Sequence, residues 1–78
     1  MAGRRKGNEL ARDYLLLERM SKELKLHEDR IRGVSRRIAR KARGEFGSGI
    51  VENLDIVATY MKGARKELER AKRELKLI

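Results

Sequence analysis

The chain has 78 residues, of which 42% are charged and 40% hydrophobic, with no Cys and no Pro. That length allows one domain at most, and a core so small favours docking on a partner or on a second copy. The lack of Cys excludes disulfides and thiolate metal sites, no apolar run approaches the ~20 residues that span a bilayer, and a net charge of +9 directs attention to acidic partners.

Leu, Ala, Glu, Lys and Arg dominate, which predicts a single all-α domain over 1–78. Residues 1–7 predict a basic arm carrying Arg4, Arg5 and Lys6. No apolar stretch follows MAGRRKGN, so it does not read as a secretory signal, and the expected location is cytoplasmic or nucleoid-associated.

Asn8, a good N-cap with Glu9 behind it, marks the start of a basic helical half over 8–43. Leu10, Leu17, Leu24, Ile31 and Ile38 recur every seven residues, and Met20, His27 and Val34 form a second row. Read literally, this is one helix that folds back on the C-terminal segment as a two-helix antiparallel coiled-coil hairpin. Gly33 would cost that helix about 1 kcal/mol relative to Ala, and Leu15, Leu16 and Leu26 fit its seam poorly.

GEFGSG, residues 44–49, is the one clear break. It reads as a Gly-rich loop with Ser48 as an N-cap and Phe46 packing back on the helices. Residues 50–78 then form a single helix. Leu54, Met61, Leu68 and Leu75 are seven apart, and Ile50, Val57, Ala64, Ala71 and Ile78 make the second row of a heptad seam. The expected packing and dimerisation set is Leu54, Val57, Met61, Ala64, Leu68, Ala71 and Leu75. Glu69 and Arg73 are placed for a helical i,i+4 pair.

A second organisation comes from "RMSKELKLHEDRIRGVSRRI", residues 19–38. Met20, small Ser21, Leu24, Leu26, Ile31 and Val34 resemble the apolar pattern of the helix-turn-helix DNA-binding segment. The chain departs from that family with Lys25 where Gly is usual and His27 where Ser or Thr often caps. The resemblance implies three helices, with a turn at 25–27 and Leu26 buried inside it. It also implies an Arg-rich helix 28–43 in the major groove, presenting His27, Glu28, Arg30, Arg32 and Arg36. The three-helix domain is the preferred expectation and the hairpin is the alternative.

Function is read from the charge. Residues 1–49 carry 14 basic and 7 acidic side chains, whereas residues 50–78 carry 7 and 5. Within "RIRGVSRRIARKARG", residues 30–44, there are six Arg, one Lys and no acid. Ile31, Val34 and Ile38 would dock this helix on its own protein, leaving Arg for closely spaced phosphates. The candidate nucleic-acid-binding residues are Arg4, Arg5, Lys6, Arg30, Arg32, Arg36, Arg37, Arg40, Lys41 and Arg43.

Catalysis has little support. The chain has one His and no Cys, and GEFGSG lacks the Lys of a phosphate loop. Glu23 and His27 alone do not make a metal site, and His27 reads as structural. No enzyme activity, cofactor, metal or small-molecule substrate is expected. Tyr14 and Tyr60 read as core edges rather than base-stacking platforms.

The sequence therefore points to a small basic DNA-binding protein, a transcriptional regulator or accessory DNA-binding factor. It is expected to act as a homodimer with duplex DNA favoured over RNA. A helical-hairpin assembly or adaptor module, or a ribonucleoprotein component, is the alternative.

Overall fold

In the computed structural model, residues 2–42 and 44–77 are described, with side chains from residue 9 onward. Two helices account for nearly all of them: α1, Ala2–Lys41, and α2, Glu45–Lys76. They pack antiparallel as a rod of 64 × 14 × 12 Å between Cα extremes. This is the hairpin organisation, and the three-helix expectation is corrected. α1 runs without a break through Lys25, Leu26 and His27. Lys25 is tied into the helix by Glu28 at 3.6 Å and Asp29 at 3.2 Å. No residue other than Gly44 has a positive φ among those described. Leu26 is 48% exposed rather than buried in a turn. The stretch contains no Gly or Pro until Gly33, so nothing in it outweighs cooperative helix propagation.

The helix limits also differ from those expected. α1 begins at Ala2, upstream of Asn8, and takes in most of the 1–7 segment. α2 begins at Glu45 inside the Gly-rich stretch, with Gly44 at the N-cap position. Ser48 caps nothing: it is helical, and its N–H donates to the Gly44 carbonyl at 3.0 Å. Phe46 does not pack back, and 83% of its surface is exposed.

The turn is short for a physical reason. Gly44 has φ 112° and ψ −174°, a region that is essentially glycine-only. Gly47 is buried against the end of α1. A Cβ at Gly47 would lie 1.6 Å from the carbonyl oxygen of Ala42, so the two helices meet there backbone to backbone. Only glycine permits that approach.

The seam is the main surprise. The first rows hold as read: Leu10, Leu17, Leu24, Ile31 and Ile38 on α1, and Leu54, Met61, Leu68 and Leu75 on α2, are all half-buried. The second rows do not. Met20 is 42% exposed, Val34 36% and Val57 40%, and His27, Ala64 and Ala71 are also exposed. Ile50 is half-buried, and Ile78 lies outside the described residues. The burial lies one position later, four residues after each first-row member. On α1 it falls at Ser21, Glu28 and Ser35, and on α2 at Ala58 and Lys72. Shifting the second row from three to four residues turns each helix so that small and polar side chains line the contact.

Two of those polar side chains, Ser21 and Glu28, bond across the hairpin. The Ser21 hydroxyl donates to Glu69 Oε1 at 2.7 Å, and Lys72 Nζ donates to the same carboxylate at 3.3 Å. Arg65 donates to Glu28 Oε1 at 3.4 Å. Tyr14 is half-buried, and its ring receives Lys72 and Lys76 at 5.3 Å and 5.2 Å, a cation–π arrangement. Ala58 is the one fully buried apolar residue among those described. Two cylinders meet along a line, so the leucine row stays open to one flank or the other.

Candidate nucleic-acid interface

The register of the seam decides where the basic side chains point. With Ile31 turned to α2, Arg36, Arg37, Arg40 and Arg30 fall between about 140° and 260° around α1 at 100° per residue. They cover the side away from α2. All four are exposed, as is Lys41, and none of the five takes part in an ion pair among the described residues. From Arg30 to Lys41 the run covers about 16 Å of helix.

Arg32 stands apart from this group. It lies on the flank of α1, and its Nε is 3.8 Å from the Glu28 carboxylate. Its charge is partly spent inside the protein. The side chains of Arg4, Arg5 and Lys6, and the whole of Arg43, lie outside the described residues.

Three cations that the sequence reading overlooked join the same face. Arg12 and Arg19 precede Arg40 by whole heptads, and Lys22 precedes Arg36 by two. They therefore share the outer side of α1, and all three are exposed. The one acid in those two columns is Asp29, already held by Lys25 at 3.2 Å. These positions were legible once the inward row was known, because heptad spacing alone assigns them.

The acids are sorted the other way. Glu28 is 3% exposed in the seam, with Lys25, Arg32 and Arg65 around it. Glu69 is half-buried opposite Ser21. That hydrogen bond, followed by the one from Lys72, holds its carboxyl below the ordinary value of 4.5 against a smaller opposing effect of desolvation. Glu69 turns to these partners and forms no ion pair with Arg73 among the described residues. Glu28 and Glu69 are thus turned toward the seam, whereas Arg30, Arg36, Arg37 and Arg40 stay outward; most of the other carboxylates are exposed.

His27 is exposed rather than structural, and no group of three or more metal-ligating side chains occurs among the described residues. Tyr60, 74% exposed, is not a core edge. No helix among the described residues is long and apolar enough to cross a membrane. No family model, curated protein or solved structure matches the chain.

Proposed function

We propose that the hairpin is a duplex-nucleic-acid-binding protein, an accessory DNA-binding factor that grips phosphates through the outer face of α1. The observation that carries this reading is the charge sorting. Arg12, Arg19, Lys22, Arg36 and Arg40 occupy two exposed heptad columns of α1 whose single acid, Asp29, is already paired. A surface that serves only solubility mixes its signs. Cations in a row release counterions from a polyanion, which favours binding without any base contact. With a continuous α1 there is no helix-turn-helix to seat a recognition helix, so the reading is of backbone binding.

The test is a salt-titrated gel shift of the full chain against duplex DNA, structured RNA and an acidic protein. With about five phosphates contacted per chain, log K should fall against log salt with a slope of roughly −4 to −5 on duplex DNA. A flat slope, or no binding at low salt, overturns the proposal. Tighter binding to RNA moves it to a ribonucleoprotein role.

A further inference from the structure

Each helix carries two apolar rows, and the hairpin uses one. The unused rows are Met20 and Val34 on α1, and Val57, Ala64 and Ala71 on α2, all exposed. They lie on the same flank. In an antiparallel pair, positions three residues after the shared leucine row fall on one side of both helices, while positions one residue after it fall on the other. The latter flank is already closed by polar contacts, since it carries Lys25, Arg32 and Glu69. The former has none among the described residues.

We infer that a second copy of this chain covers the open flank, antiparallel to the first, to give a four-helix bundle. The charge along the flank selects both occupant and direction. On α1, Asp13 in the unused row and Glu23 at its outer border precede His27, whereas Arg30 at the same border and Lys41 in the row follow it. Reversing the helix about His27 sets Asp13 against Lys41 of the second copy, Met20 against Val34, and Glu23 beside Arg30. On α2, Val57 and Ala71 are equidistant from Ala64. His27 and Ala64 are at one level in the hairpin, because their neighbours Glu28 and Arg65 are joined. One two-fold axis therefore serves both helices. A parallel dimer would instead stack Glu23 on Glu67 near the middle of the rod.

The size is sufficient. Reversal about His27 overlaps the two rods from turn to turn, about 51 Å at 1.5 Å per residue, so a flank 14 Å wide gives roughly 700 Å² per partner, within the range of roughly 600–1,000 Å² per partner of standard stable interfaces. The second copy would also finish burying a leucine row that one hairpin leaves half open. The two α1 helices then lie side by side on one face of the bundle. Their Arg36–Arg40 poles stand about 33 Å apart along it, close to the ~34 Å of one duplex turn. That spacing matters only if the nucleic-acid reading holds; the dimer does not depend on it.

Sedimentation of the full chain without nucleic acid tests the proposal, and it should show a reversible dimer. Because the chain has no Cys, single-cysteine variants report direction. His27→Cys should cross-link to itself on oxidation. Asp13→Cys should cross-link in a mixture with Lys41→Cys and not with itself. Glu23→Arg should weaken the dimer by about tenfold, and adding Arg30→Glu should restore it. A monomer at every concentration overturns the inference. So does a dimer in which His27→Cys fails to cross-link or the charge swap fails to rescue.

Discussion

Glu28 and Arg65 meet across the hairpin at 3.4 Å, in a row where a heptad seam ordinarily holds apolar residues. The carboxylate is nearly sealed from water and the guanidinium is about a quarter exposed; Lys25 and Arg32 also face the carboxylate, whereas Glu28 is the one acid paired with Arg65 among the described residues. Glu28→Gln should cost about 1–2 kcal/mol, because it leaves Arg65 without its charge partner. Glu28→Leu combined with Arg65→Met should recover most of the loss or exceed wild type. A double-mutant cycle by urea unfolding measures this. If the single and double losses simply add, the pair is not coupled.

Gly33→Ala should stabilise the protein by about 0.5–1 kcal/mol. Gly33 is in the middle of a continuous helix, and an added Cβ would meet only Arg37 Nη1, at an ordinary 3.7 Å. Circular-dichroism melts report the change. A loss of stability would mean that α1 does not run straight through this point.

Gly47→Ala should have the opposite effect. The new methyl would collide with the backbone of Ala42, and no side-chain rotation relieves it. Forcing the turn open should cost about 2–3 kcal/mol. Gly49→Ala, with open space around its Cβ position, is the matched control and should be neutral or mildly stabilising.

The pH dependence follows from Glu69. Its carboxyl titrates below the ordinary 4.5 in the folded chain, chiefly through the Ser21 hydroxyl and Lys72. A depressed folded value stabilises the protein above the unfolded value, and that stability is lost as pH falls through the folded one. Wild type should therefore lose stability more steeply than Ser21→Ala from about pH 5 downward. Parallel curves would show that the hydrogen bond carries no proton linkage.

Arg36→Ala with Arg40→Ala should reduce affinity for duplex DNA by roughly tenfold at moderate salt and flatten the salt slope by about two. Helicity should stay or rise slightly, since Ala is the better helix former. Gel shift beside circular dichroism separates the two effects. Unchanged affinity would make this face a solvated surface.

Much of the fold was legible in the residues. Gly44 and Gly47 mark the turn, and the leucines seven apart mark the inward face of both helices. What misled was apolarity used as the sole guide. Val57, Ala64 and Ala71 look like better partners for Leu54 and Leu68 than Ala58, Arg65 and Lys72 do. Arg65 and Lys72 belong inside only because Glu28 and Glu69 face them, and such pairing is invisible until two distant segments are brought together. Leu26 invited a turn because it fits no buried row; it is exposed. The basic run was plain, whereas the extension through Arg12, Arg19 and Lys22 required knowing which way α1 faces.

The polar row has a last consequence for alignment. If α2 slid along α1 by one heptad, leucine would still meet leucine, and the apolar contact alone would hardly resist the slip. The same slide would part Glu28 from Arg65 and Ser21 from Glu69, leaving the Arg65 guanidinium and the buried Ser21 hydroxyl without their partners across the hairpin. Hydrogen bonds of modest net strength thus act as detents on an otherwise smooth track. They hold the turn at Gly47 tight and fix which arginines stand level along the rod.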